Sequence, residues 1–516
     1  MVIRAGKASD SGWGWRRGVG ILLRVPRIPA PDMVAAMRVV WALMLFFAAS
    51  VAVAQPAARR TTAPVDPNES APAPELEEDT APLDEPDIEQ RELPDYDGRE
   101  DARPTAGRRL LWIPRIVLAP IWLVTEFVIR RPLALLVTNV EEQEIPDKVV
   151  QFFTFGPDNN IALAPTFSFD FGFRPNVGLY YRWNDFVSEG HRWRAGFNFG
   201  GKRWLSGALA YRYAPKNGRW EAQIGTRAIT RPDGLYFGLG SMVGENNRSR
   251  YSWTNYDVEL RLSGRLWRQS AVTMELGYRN RQFGFRTGGR ETIQDRIDNP
   301  NLQSENADNA ITALPPGFED GISIVRQRTR VSVDTRPSRP APGSGVRIIG
   351  EYTLGFDPQS PSEQMFLNYA GSFSLFMDLT GYQHVIGLHV STAISKALAG
   401  ETPFTELPTL SGNGPMRGFV GNFLSGQSQA SILLDYHWPV WNWLDGTLHV
   451  AVGNVYDGYF EGFSLKDQRL SFGVGLAGVS QRDHFFEFLV GFGTDTFENG
   501  PDIESVRVLF GGTREF

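Results

Sequence analysis

From about residue 160 to its end, the chain alternates. In IALAPTFSFDFGFRP (161–175), Ile161, Leu163, Phe167, Phe169, Phe171 and Phe173 take every second position, with Ala162, Ala164, Thr166, Ser168, Asp170 and Gly172 between them. Period two gives a strand one apolar face and one polar or small face. The rule returns where Leu470, Phe472, Val474 and Leu476 interleave with Ser471, Gly473, Gly475 and Ala477. It returns again where Phe486, Phe488, Val490 and Phe492 interleave with Glu487, Gly491 and Gly493. Further strands read around 192–199, 204–213, 219–229, 251–285, 322–335, 346–356, 367–379, 384–395, 430–438, 447–454 and 504–510. The total is about 16 strands, inside the size range of transmembrane barrels. Short turns such as Lys216-Asn217-Gly218 and longer Asn/Asp/Gly/Pro segments join them, the longest near 287–320.

A soluble β-sandwich alternates too, so other features decide. One face of almost every strand is bulky and apolar, while the other carries Gly, Ser, Arg, Asp and Glu in place of a core. Aromatics gather at strand ends (Tyr180, Tyr181 and Trp183; Trp438, Trp441 and Trp443; Tyr456 and Tyr459), as interfacial girdles require. Closure of the sheet satisfies every backbone N–H and C=O within lipid. The expected fold is therefore an all-β transmembrane protein, a closed antiparallel barrel over 151–516, in the outer membrane of a double-membraned bacterium. Phe516, beyond the last strand, reads as a C-terminal assembly signal.

Composition agrees. There are 53 Gly, 34 Phe, 15 Tyr and 14 Trp, yet no run of about 20 apolar residues that would span as a helix. The net charge of −6 offers no electrostatic footprint for nucleic acid. Cysteine is absent, which removes disulfides, thiolate catalysis and cysteine-ligated metals.

Ahead of the barrel, MRVVWALMLFFAASVAVAQ from Met37 has a basic start, a short apolar core and a small-x-small end at Ala52-Val53-Ala54. That is a secretory signal pattern, so 1–54 is read as signal peptide with cleavage after Ala54. Residues 1–32 do not fit it: either the start is over-extended and Met33 or Met37 is the real one, or the n-region is long. Residues 55–107, rich in Pro, Ala, Glu and Asp, read as a disordered periplasmic linker. In 108–150, Pro114, Pro120 and Pro132 break a dense apolar stretch, giving short amphipathic helices. They lie either at a membrane interface or barrel mouth, or as a small packed hairpin.

Three stretches resemble one family, the BamA/TamA superfamily of outer-membrane assembly and translocation barrels (the bacterial surface antigen domain). VSVDTRPSRPAPGSGVRI (331–348) is similar to its strand bearing Asp334, Thr335 and Arg336. LPTLSGNGPMRGF (407–419) resembles the approach to the tip of its sixth extracellular loop, here Arg417, Gly418 and Phe419. SILLDYHWPVWNWLDGTLHVAVGNVYD (431–457) is similar to the strand pair that follows, and LYFGLGS (235–241) is a weaker match. The resemblance covers roughly 150–516 and implies five strands after Phe419. It also implies a carboxylate partner for the loop arginine on the lumen wall, because an unpaired charge in a partly desolvated lumen is costly. At the family's acidic position stands Ala451. Asp435 and Glu487, both on inward phases, are the expected replacements, and Asp334 with Arg336 is read as a lumen ion pair. No POTRA-like pattern precedes the barrel, as in the branch without those domains.

Other motifs fail. Gly473-Val474-Gly475-Leu476-Ala477-Gly478 spells a dinucleotide fingerprint but lies within a strand. There is no G-x-S-x-G elbow and no H-E-x-x-H, and His389, His437 and His449 fall on inward phases as polar lining. Neither a cofactor nor a metal site is expected, and no enzymatic activity; an outer-membrane hydrolase would need a lumen-facing Ser/His/acid set, which the sequence does not display. The expected function is assistance to protein insertion or translocation at the outer membrane. Its partners are then outer-membrane lipid, unfolded outer-membrane or exported proteins and periplasmic assembly factors, with no nucleic acid. The alternatives are a passive pore or a structural surface-contact barrel.

Overall fold

The computed structural model describes residues 152–511, apart from 157–158, 217, 300–301, 303–309, 337–342, 382, 442–443, 479–486 and 501. The expected signal peptide, linker and helical segment lie outside the described residues, as does Phe516.

A two-residue stub, β1 (Thr154–Phe155), precedes the wall. The first half of the wall comprises β2 (Ile161–Asp170), β3 (Asn176–Asn184), β4 (His191–Phe199), β5 (Leu205–Tyr213), β6 (Trp220–Tyr236), β7 (Ser249–Arg265), β8 (Ala271–Gly284) and β9 (Ile322–Asp334). The second half comprises β10 (Gly345–Phe356), β11 (Met365–Asp378), β12 (Val385–Ala399), β13 (Ser428–Trp441), β14 (Leu444–Tyr456), β15 (Arg469–Gly478), β16 (Glu487–Thr496) and β17 (Ile503–Gly511). Each strand pairs antiparallel with the next and β17 returns to β2, so the sixteen strands β2–β17 form a closed barrel. Five of them follow Phe419. The 251–285 region, read as one stretch, is the hairpin of β7 and β8.

The alternation is realised as an outer apolar skin. Val258, Leu260 and Leu262 on β7, Met274, Leu276 and Tyr278 on β8, Phe373, Leu375 and Met377 on β11, and Ile432 and Leu434 on β13 are all exposed large hydrophobics. In water so much exposed apolar area would be an aggregation hazard; in a bilayer it is the required surface. The girdle reading needs correction at three positions. Tyr180 and Tyr456 are buried, and buried Trp438 stacks on Tyr436 with ring centroids 5.3 Å apart. Each has an indole or phenol large enough to fill space inside the barrel, and Tyr456 also accepts from Gln468 Nε2 at 2.7 Å.

The inner face departs further from a plain polar lining. At the rim carrying the long loops, two apolar clusters fill the lumen. One joins Leu410, Met416, Phe419, Val420, Phe423 and Leu424 of the 400–427 loop to Leu235, Phe237, Val243, Ala451 and Val455. The other packs Ile293, Ile311, Phe318 and Phe404 against Tyr236 and Tyr251. Toward the opposite rim, where the turns are short, the lumen is charged and holds a cavity of about 1150 Å³.

Candidate functional site

The loop between β12 and β13 folds back into the barrel. Its tip is closed by Gly412 N–H donating to Phe419 O (3.1 Å) and Met416 N–H to Leu410 O (2.9 Å). It then lies flat on the wall because both surfaces are bare. A Cβ on Gly418 would sit 2.0 Å from Phe492 O, and one on Gly491 would sit 2.9 Å from the Gly418 Cα. The Phe419 ring occupies the space over Gly493, and Gly418 N–H donates to Ser471 Oγ at 2.8 Å. Glycine is needed on both sides of this approach; larger residues would hold the loop off the strands.

Arg417 and Glu487 are brought together, Nη1 to Oε1 at 3.2 Å. Asp435 does not pair with Arg417. It accepts instead from His389 Nε2 at 3.2 Å and His437 Nε2 at 3.0 Å, so both its oxygens are engaged. Ala451, at the position where the family resemblance implies an acid, is fully buried in the cluster around Phe419. A carboxylate there would be desolvated without a partner. Asp334 and Arg336 form a bidentate pair, with Nε to Oδ1 at 2.9 Å and Nη2 to Oδ2 at 2.6 Å, while the Arg336 guanidinium lies 4.0 Å from the centre of the Phe376 ring. The Thr335 hydroxyl accepts from Val346 N–H at 2.8 Å, which ties β9 to β10.

Other features escaped the sequence reading. Among the described residues β17 closes on β2 at three paired positions, Leu509–Asp170, Phe510–Phe169 and Gly511–Ser168. Across this seam buried Arg507 grips Asp170 with Nε–Oδ1 at 2.9 Å and Nη2–Oδ2 at 2.8 Å, and donates from Nη1 to Gly412 O of the folded-in loop. The inward phase of Asp170 was legible, but its partner, more than three hundred residues later, was not. Residues 163–167 of β2 pair with β3 on one side and, among the described residues, with no strand on the other. Pro165, which lacks an N–H to donate, stands in that stretch, as suits an edge.

No family model matches the chain, and no curated protein does. Solved structures with a similar barrel include BamA from Haemophilus ducreyi lacking POTRA domains 1–3, at 14% identity and a TM-score of 0.47, over 68% of this chain and 70% of that one. They also include CdiB from Escherichia coli, at 13% identity and a TM-score of 0.45, over 70% of this chain and 64% of that one. CdiB from Acinetobacter baumannii matches at 11% identity and a TM-score of 0.42, over 68% of this chain and 59% of that one. This chain thus spans less than two thirds of either CdiB, and the likeness in all three is confined to the barrel.

Proposed function

We propose that this barrel assists insertion or translocation of proteins at the outer membrane, using the β17–β2 seam as the place where an incoming strand pairs. The observation that carries the reading is the seam itself, where β17 closes on β2 and Arg507 joins both strands to the folded-in loop. An unpaired strand edge is a template for a further strand, which adds by main-chain hydrogen bonds whatever its sequence. The folded-in loop suits such a role, since it closes the lumen while Arg507 ties it to the seam. Unfolded outer-membrane proteins are then the substrates, and periplasmic assembly factors their source. The rim with short turns, to which the N-terminal strands lead, faces the periplasm in this reading. None of this calls for a catalytic group.

The test exploits the absence of cysteine. The double variant Phe169→Cys, Phe510→Cys places two thiols at paired positions of the seam. In proteoliposomes, the reduced protein should speed insertion of an unfolded outer-membrane substrate, and the oxidised form should lose that effect. Equal rates in both forms would remove the seam from the mechanism. A passive pore is the second reading, favoured by the charged cavity. Steady conductance of the wild type with no effect on insertion would carry it.

A further inference from the structure

We propose that the lumen carries a serine-hydrolase site in which Ser374 is the nucleophile, His389 the general base and Asp435 the group that orients it, acting on acyl esters that bear an anionic group.

The three residues lie on successive strands β11, β12 and β13. Ser374 and His389 stand directly opposite each other, and Asp435 faces Gly387, two residues before His389. His389 Nδ1 is 2.9 Å from Ser374 Oγ and His389 Nε2 is 3.2 Å from Asp435 Oδ1. The roles follow from what each atom can do. An ionised carboxylate only accepts, so His389 Nε2 carries the proton. Nδ1 is then left with its lone pair toward Ser374 and accepts the hydroxyl proton. His437 Nε2 occupies the other oxygen of Asp435 at 3.0 Å and fixes that carboxylate. The imidazole is also held edge-on by Phe376, ring centroids 5.2 Å apart at 80°. Gly387 leaves the space for this arrangement: a Cβ there would stand 2.1 Å from Asp435 Oδ1 and 2.6 Å from His389 Nε2. Nucleophile to base to orienting acid is the constellation of acyl-transfer enzymes, recognised by geometry and not by order in the chain.

Ser374, itself 1% exposed, borders the 1150 Å³ cavity that Arg330, Arg336 and Arg347 also line. Arg336 is neutralised by Asp334. Arg330 and Arg347 form no ion pair among the described residues, and Arg347 Nε is buried without a hydrogen-bond partner. Arg347 lies directly across the β10–β11 pair from Ser374. A guanidinium there meets the charge of a substrate and the oxyanion that forms beside it.

In the first half-reaction Ser374 Oγ attacks the ester carbonyl carbon and its proton passes to His389 Nδ1. The tetrahedral oxyanion collapses, the bond from carbon to the alcohol oxygen breaks, and His389 returns the proton to the leaving alkoxide. Water then attacks the acyl-serine, gives a proton to His389 Nδ1, and leaves a carboxylic acid as that proton returns to Ser374. The balance is ester plus water to acid plus alcohol.

The experiment uses the full-length protein folded in detergent micelles, with the heat-dependent shift on gels as proof of folding for every variant. A fluorophosphonate probe should label the wild type at Ser374, mapped by mass spectrometry, and should not label Ser374→Ala. Hydrolysis of 4-nitrophenyl hydrogen succinate should fall at least about a hundredfold in Asp435→Asn, and Asp435→Glu should recover part of it. Arg347→Gln should raise KM for that succinate ester and leave KM for neutral 4-nitrophenyl acetate unchanged. A folded barrel that takes no label at Ser374, or a folded Ser374→Ala that hydrolyses the succinate ester as fast as wild type, overturns the proposal. The Ser374–His389–Asp435 link is then a structural tie between strands.

Discussion

Replacing Phe419 by alanine separates two ways of holding the loop in the barrel. Phe419 is fully buried, its ring 5.0 Å from that of Phe423 and pressed over Gly493. Truncating such a side chain costs about 3–5 kcal/mol where the cavity does not collapse, and here one wall is a closed sheet. Because every 1.4 kcal/mol is a factor of ten, docking should weaken by roughly two to three and a half powers of ten. The Arg417–Glu487 pair is of another kind. Its side chains are 36% and 26% exposed, so screening by solvent limits its worth to about 1 kcal/mol or less, roughly fivefold. The assay is single-channel recording in planar bilayers, where undocking of the loop reads as open bursts. Phe419→Ala should show frequent bursts, Arg417→Ala few more than wild type. Equal bursting in the two variants, with both still heat-modifiable, would refute the reasoning and return the anchor to the ion pair.

Three further outcomes follow from the same geometry. Gly491→Val should lift the loop tip off the wall, because its Cβ would meet the Gly418 backbone at 2.9 Å; trypsin should then cut after Arg417 within minutes in the variant while sparing wild type. Arg507→Ala leaves Asp170 without its bidentate partner and removes a donor from Gly412 O. The loss is about 3 kcal/mol or more, and the temperature at which the folded gel band disappears should fall, whereas Lys466→Ala, whose side chain is exposed in a loop pair, should leave it in place. Gly387→Ala should displace Asp435 from His389, since the added methyl carbon would lie 2.1 Å from Oδ1; loss of fluorophosphonate labelling without loss of the heat shift is the expected result.

The wall was legible because a strand with one face in lipid advertises its period. Ile161 to Asp170, and the runs through Leu470 and Phe488, show both faces in the letters themselves. The inward phase also marked Glu487 and Asp435 as the acids to watch, without saying which would meet Arg417. The choice depends on where the loop tip lands, and that is set by Gly418 lying on Gly491 and Phe419 on Gly493 of a different strand. The clusters inside the lumen were invisible for a related reason. Much of each cluster comes from 285–321 and 400–427, which have no period, so Phe318, Phe404 and Phe423 carry no directional signal until the loops are folded. The gathering of aromatics at strand ends likewise misplaced Tyr180, Trp438 and Tyr456 in a girdle, because it does not say which face each ring takes or what covers it. The Ser374–His389–Asp435 set spans three strands and is assembled only by their register.

The absent acid at Ala451 then has a physical explanation in the loop itself. A lock built on a buried arginine and carboxylate needs both charges and their hydrogen bonds at once, since either alone is heavily penalised. Here the small Ala451 side chain leaves space that Phe419 and its neighbours fill with apolar volume, and the charge moves down the barrel to the half-exposed Arg417–Glu487 pair. An apolar lock tolerates partial opening, because each side chain gives up its burial separately, at about 25 cal/mol per Å². The connection between loop and seam survives the exchange through Arg507, which holds Asp170 and Gly412 together from a site that is almost fully buried. In the proposed function a strand entering at β2 displaces β17, which carries Arg507 away from Asp170 and from Gly412 of the loop. That reading couples opening of the seam to loosening of the loop through a single guanidinium, and Arg507→Ala should separate them.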